Sequence, residues 1–267
     1  MDCLREERVR LGDGAETTVS RWGEGGPLLV GVHGLSASRR GWARIGEYLA
    51  GRYRVVAYDQ RGHGDSTADG PMTLQQTVAD LATVIALLGE PVHALLGHSW
   101  GGAVVVVGGR RLDVARVVSI DPMLRVPRGV WAANVMREHR ANLAQPIGER
   151  EASIRGSYAS LPDVEIEGKL HAARRVRLEA IAALGADNGI DDGGWDHRAA
   201  VHDYPKPLLI ALADAARSQV VPAAERADLH ALGGPHVRVE LFEGASHSLQ
   251  RDAFDRFIPV LESFLEA

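Results

Sequence analysis

The sequence predicts an α/β architecture, a mostly parallel sheet of eight strands with helices on both faces, and three features point to it. Continuous apolar runs of strand length recur along the chain, as expected for strands buried on both sides. Segments with apolar residues at helical spacing lie between them, so strands and helices alternate through right-handed crossovers. The apolar runs end in short loops bearing polar or ionisable residues, and in such sheets reactive groups gather outside the carboxyl ends of the strands.

In order, Val9 to Leu11 and Thr17 to Trp22 flank the turn Gly12-Asp13-Gly14, a hairpin signal that suits an antiparallel sheet edge. Pro27 to Val32 is a buried strand ending in His33-Gly34-Leu35-Ser36, and Gly41 to Ala50 reads as a helix with Trp42, Ile45, Tyr48 and Leu49 inward. Arg54 to Tyr58 is the next strand, closed by Asp59-Gln60-Arg61-Gly62-His63-Gly64-Asp65-Ser66. Thr73 caps a helix from about Leu74 to Leu88, which Gly89 ends. Ala94 to Leu96 leads into Gly97-His98-Ser99-Trp100-Gly101-Gly102, and Ala103 to Val107 continues as a helix. Arg116 to Ile120 is a strand ending in Asp121-Pro122.

From about Met123 to Tyr204 the alternation stops. The stretch is arginine-rich and mostly helical in pattern, with a helix predicted over Lys169 to Leu184 and a glycine- and aspartate-rich loop over Gly185 to Gly194. The sequence therefore divides into a core, residues 1–122 and 205–267, and an insertion, 123–204, expected to form a helical cap over the reactive edge. The sheet resumes with Pro207 to Asp214, a helix from Pro222 to Leu232 and a strand from Val237 to Phe242. Glu243-Gly244-Ala245-Ser246-His247-Ser248 precedes a terminal amphipathic helix that turns Phe254, Phe257, Ile258, Leu261, Phe264 and Leu265 inward.

Composition limits the function classes. At 267 residues, 45% hydrophobic and 24% charged, the chain is long enough for one large core. A net charge of −5 gives no basic footprint, so no nucleic-acid partner is expected. The one cysteine, Cys3, permits no intramolecular disulfide and reads as an incidental thiol. The N-terminal stretch lacks a signal peptide's apolar core, and no apolar run approaches the roughly 20 residues that span a bilayer. A soluble cytoplasmic protein with no membrane partner is expected, its oligomeric state open. Neither His-Glu-x-x-His nor paired cysteines occur, and no metal or cofactor is expected.

The segment from Gly97 to Gly102 reads as strand, sharp turn and helix, a nucleophile elbow that would hold Ser99 exposed at a helix N-terminus. Together with His33-Gly34, the Asp-x-Arg-Gly-x-Gly-x-Ser segment from Asp59 to Ser66, and Gly244-x-x-His247, it makes the chain resemble the α/β-hydrolase superfamily. The likeness is to the small capped serine hydrolases similar to non-haem haloperoxidases and esterases, and it covers residues 8–122 and 205–266. It implies the α/β-hydrolase fold and a small-molecule substrate.

A serine hydroxyl needs a base within hydrogen-bond reach, and that base an orienting carboxylate. The superfamily's chain order of serine, acid, histidine assigns these parts to Ser99 and His247, the last of 11 histidines. The oxyanion hole would be the backbone N–H groups of Trp100 and Leu35. For the acid, alignment on Pro207 puts Ala216 where most relatives carry aspartate. Asp214 sits two residues early, whereas some relatives supply the acid after the preceding strand, which here ends in Asp121; Asp121 is favoured and Asp214 kept as the alternative. His33 and His98 are expected to support loops, with His98 also a candidate substrate contact, and the Asp59 turn to be a salt-bridged brace. Trp131, Met136 and Trp195 of the insertion are candidate pocket residues, the alternative being that these tryptophans only pack the cap onto the sheet.

The leading expectation is hydrolysis of a carboxylic ester, lactone or thioester through an acyl-enzyme on Ser99. A serine at that position argues against dehalogenase and epoxide-hydrolase chemistry, whose relatives use aspartate there. Carbon–carbon bond hydrolysis or lyase chemistry with the same triad is the alternative enzyme, and a weakly catalytic ligand-binding receptor the alternative from another class.

Overall fold

The structure, a computed structural model, describes residues 5–189, 194–232 and 234–267. Cys3 and part of the predicted 185–194 loop lie outside them. The main sheet is built from β1 (Arg5–Arg10), β2 (Glu16–Trp22), β3 (Leu28–Val32), β4 (Arg54–Tyr58), β5 (Val92–His98) and β6 (Val114–Ile120), and later β9 (Leu208–Ala213) and β10 (Val237–Phe242). Its spatial order is β1-β2-β4-β3-β5-β6-β9-β10; the hairpin β1–β2 and the β2–β4 pair are antiparallel, and all other neighbours run parallel.

Alternate residues of each central strand enter opposite cores, as the pleat requires. Val30, Val56, Leu95, Val117 and Ile210 pack with α2 (Leu74–Leu88) and α3 (Trp100–Gly109) on one face. Leu29, Val55, Ala94, Leu96, Val118 and Leu209 pack with α1 (Ala43–Leu49) and the C-terminal helix on the other. Strand runs are continuously apolar because both faces are covered. Helix α2 has the predicted caps: Thr73 Oγ1 accepts from Gln76 N at 3.1 Å, and Gly89 closes the end with φ 67°.

Between β6 and β9 run β7 (Arg125–Pro127), a wide helical turn over Trp131–Met136, α4 (Arg137–Leu143), α5 (Ile147–Ser157), α6 (Asp163–Ala173), α7 (Leu178–Asp187) and β8 (Gly194–Asp196). β7 and β8 pair as a separate two-stranded ribbon. After β9 come α8 (Ala223–Leu232), the single turn α9 (Leu249–Asp252) that follows β10, and α10 (Phe254–Glu266), whose six predicted apolar residues are all buried.

Three local readings are corrected. The helix predicted over Lys169 to Leu184 is two helices, because Arg175 and Arg177 reach Asp65 and Asp69 in the loop after β4 and leave Arg177 extended at φ −117°. Helix α7 continues through Gly185 to Asp187, where a loop was predicted. Tyr48 is 49% exposed, edge-on to Phe254: the buried stripe of the 39–49 segment is Trp42, Ile45, Gly46 and Leu49, at i, i+3, i+4 and i+7, and position 48 falls off it.

Candidate active site

The loops that leave β3, β4, β5, β6, β9 and β10 all emerge at one edge of the sheet, and the turn after β5 is its centre. Ser99 has φ 57° and ψ −116°, a backbone region that side chains rarely occupy. Tertiary contacts hold it there. Its N–H donates to Ile120 O at 2.9 Å, and its carbonyl accepts from Met123 N at 3.0 Å and Ala103 N at 3.2 Å. A Cβ on Gly97 would overlap the Gly101 carbonyl, and one on Gly101 would overlap those of Val32 and His33, so only glycines let α3 close on β5 and β3. Ser99 is buried, and its Oγ makes no hydrogen bond among the described residues.

His247, on the loop after β10, faces Asp121 at the end of β6, with Nδ1 donating to Oδ2 over 2.7 Å. Asp121 is wholly buried and itself has a positive φ, 39°. Its carboxylate is fully engaged: Ser218 Oγ donates to Oδ2 at 2.6 Å, and Ala213 N to Oδ1 at 3.2 Å. Ser218 was not singled out in the sequence. It follows the strand from which an acid was sought, and a serine two residues beyond Ala216 carries no local signal.

Asp214 is elsewhere. Its side chain accepts from Ala216 N at 2.8 Å and Gly244 N at 2.7 Å, tying the β9 loop to the β10 loop, and these two donors hold its carboxyl below the ordinary range. Among the described residues it makes no hydrogen bond or ion pair with His247, whose Nδ1 is taken by Asp121.

The neighbouring histidines are braces. His33 Nδ1 donates to Gly34 O at 2.8 Å while Nε2 accepts from Gln60 N at 3.0 Å, a pattern only neutral imidazole can make, and burial pushes its pKa down to about 4. His98 Nε2 donates to His247 O at 2.9 Å, and the two rings lie 4.6 Å apart. Burial, then the nearby His247, hold His98 well below the usual histidine range. The Asp59 turn is salt-bridged: Asp59 pairs with the buried Arg39, and Arg61 with Asp80 at 2.5 Å.

Trp100, next to Ser99, is fully buried, with Trp195 5.0 Å away and Trp131 beyond it at 6.4 Å. Trp131, Met136 and Trp195 are all buried in the core cluster shared with α3. The N–H groups of Leu35 and Trp100 donate to no acceptor among the described residues, and both belong to segments adjoining Ser99. Among the described residues no cluster of three His, Cys, Asp or Glu side chains could hold a metal ion, and no helix is long and apolar enough to cross a membrane.

Residues 29–260 match the family model described as the alpha/beta hydrolase family. The chain belongs to that family. This hydrolase is 40% identical over 126 residues to a non-heme haloperoxidase of Rhodococcus erythropolis, covering 46% of this chain and 42% of that protein. It is 26% identical over 253 residues to 2-(acetamidomethylene)succinate hydrolase of Mesorhizobium japonicum, covering 91% and 89%. Some matches are partial: the aligned region spans 41% of lipase LipV of Mycobacterium tuberculosis, at 35% identity and 39% of this chain. In fold the hydrolase is similar to a crystal structure of E-2-(acetamidomethylene)succinate hydrolase (TM-score 0.80, 24% identity, 99% of this chain and 100% of that one). It also resembles the enol-lactonase of Burkholderia xenovorans LB400 (TM-score 0.78, 20% identity, 98% and 100%).

Proposed function

We propose that the protein is a serine hydrolase that cleaves a small carboxylic ester, lactone or thioester. The observation that carries this reading is the hydrogen bond from His247 Nδ1 to the buried Asp121, beside a serine held in a strained elbow. Ser99 Oγ attacks the substrate carbonyl and His247 Nε2 takes its proton; Asp121 keeps Nδ1 protonated and stabilises the imidazolium that forms. The oxyanion accepts from the N–H groups of Leu35 and Trp100. His247 then protonates the leaving alkoxide or thiolate, and in the second half deprotonates the water that releases the acid from Ser99. The Ser99–His247 hydrogen bond closes when substrate binds, as such contacts often do. Asp214 takes no part in these steps.

The segment 123–204 acts in this reading as a lid, because it leaves β6 and returns to β9 at the edge where the loops converge. Relatives named as a succinate-derivative hydrolase and an enol-lactonase support hydrolytic chemistry on acyl compounds. The test is covalent labelling. A fluorophosphonate adds once, at Ser99 by mass spectrometry, and abolishes turnover of a panel of p-nitrophenyl esters and lactones, and Ser99→Ala neither labels nor turns over. Labelling at another residue with Ser99 untouched, or an unlabelled wild type inactive on the whole panel, overturns the reading.

A further inference from the structure

One cluster of charges lies outside the machinery just described yet beside it. Lys169 and Glu165 are one helical turn apart on α6, and Arg251 is on α9, four residues beyond His247. Arg251 is buried, with Nε 2.8 Å from Glu165 Oε2 but not aimed along a hydrogen bond, so this N–H is left unpartnered. The Arg251 guanidinium lies against Gly41, and Arg44 Nη1 donates to the Arg251 carbonyl at 3.2 Å while its guanidinium stacks 3.7 Å over the Phe254 ring. Burial raises the Glu165 carboxyl, and the charges of Arg251, Arg44 and Lys169 oppose that rise.

Lys169 is the unmatched member. Its ammonium makes no hydrogen bond or ion pair among the described residues, and it lies over the face of Tyr158, 5.5 Å from the ring centre. The side chain is half-buried. Burial, then Arg251, push its pKa down to about 7. Arg251 and, more weakly, Lys169 add to the burial and the His247 charge that oppose protonation of His98, whose ring lies 4.6 Å from that of His247. An unpaired ammonium out of water is costly unless an anion joins it, and desolvated cations beside a reactive group characterise functional sites.

We propose that Lys169, backed by Arg251, is an anion subsite that receives a carboxylate carried by the substrate, so that the compound cleaved is a carboxylate-bearing ester or lactone. The inference rests on the serine-hydrolase reading and names its substrate class. Glu165 within the cluster selects a monoanion: it offsets one cation and repels a dianion such as phosphate. Docking the carboxylate there fixes the substrate at a second point beside His247, which lowers the cost of orienting the scissile carbonyl.

The experiment compares matched pairs that differ only in a free carboxylate: 4-acetoxybenzoate against its methyl ester, and monophenyl adipate against methyl phenyl adipate, following release of the phenol. Wild type prefers the acid member of at least one pair, Lys169→Met lowers that acid-to-ester ratio of kcat/KM at least tenfold, and Lys169→Arg retains most of it. Lys169→Gln repeats the test should the Met variant not fold, and calorimetric titration with valerate, a monoanion, measures the subsite without turnover. A ratio unchanged in a folded Lys169 variant, both members falling together, makes the lysine a structural residue and overturns the proposal. If wild type turns over no ester, the hydrolase reading fails by itself and the titration decides: valerate bound by wild type and at least tenfold weaker in Lys169→Met upholds the subsite, and no binding overturns it.

Discussion

At Asp121 three donors converge on one buried carboxylate, and the order of their importance can be measured. His247 is the donor the chemistry needs, and in a serine protease triad replacing the acid by its amide costs about 10⁴ in kcat. Asp121→Asn is therefore expected to lower kcat by orders of magnitude with the fold intact by circular dichroism. Asp214→Asn, which only loosens a link between the β9 and β10 loops, should change kcat a few-fold at most; the reverse ranking would transfer the acid to Asp214. Ser218 is a positioning residue in the same chain of contacts. Its hydroxyl spreads the negative charge of Asp121, so Ser218→Ala concentrates that charge on His247 and raises the imidazolium pKa. The acid limb of kcat/KM should move to higher pH, with kcat at neutral pH down roughly tenfold, in line with the ~1–3 kcal/mol a lost charge-assisted hydrogen bond costs. Ser218→Thr, which keeps the hydroxyl, should restore both. A lowered rate with an unmoved acid limb would reduce Ser218 to packing.

Among the elements, α6 and the turn after it are clamped to the loop after β4 by one carboxylate. Asp65 receives Arg39 at 2.8 Å and His171 Nε2 at 3.1 Å, and pairs with Arg175. Arg175 and Arg39 hold the Asp65 carboxyl far below its ordinary range although burial, the largest influence, opposes them. Asp65→Asn should leave the sheet formed but free the segment from α6 to α7, seen as faster limited proteolysis between residues 163 and 189 at unchanged far-ultraviolet dichroism. Cleavage at wild-type rates would mean the apolar contacts of Trp131, Ile181 and Leu184 hold the segment without this clamp. The clamp also explains what could and could not be read beforehand. Strand runs, the Thr73 and Gly89 caps and the turn at Ser99 are local patterns, each set by neighbours in sequence. The break between α6 and α7 arises from pairs such as Arg175 with Asp65, 110 residues apart, and the Ser218–Asp121 contact spans 97. The missing partner of Lys169 is likewise a property of packing, since by spacing it is one more residue of a helix.

Over the whole molecule, the strongest pH lever on stability is the set of histidines folded in as neutral braces. Burial holds His33 down to about 4 and His63 to about 3, against 6.5 when unfolded, and their rings pack edge to face at 5.3 Å. Above pH 6.5 both states are neutral and the full stability is present. As pH falls below 6.5 the unfolded chain takes up protons that the folded protein refuses until about pH 4, so stability is lost across that window. Each such histidine contributes a slope of about 1.4 kcal/mol per pH unit. The carboxyls held low, such as Asp65 and Asp214, protonate below this range, and the interval from pH 6.5 to 5 is where the histidines act. Urea unfolding should give a midpoint that falls steadily over that interval at constant m, and His63→Asn, whatever it does to the stability at pH 7.5, should reduce the slope by about one proton. A midpoint independent of pH between 6.5 and 5 would mean that the two rings are protonated in the folded protein, which the hydrogen bond from Gln60 N to His33 Nε2 forbids for one of them.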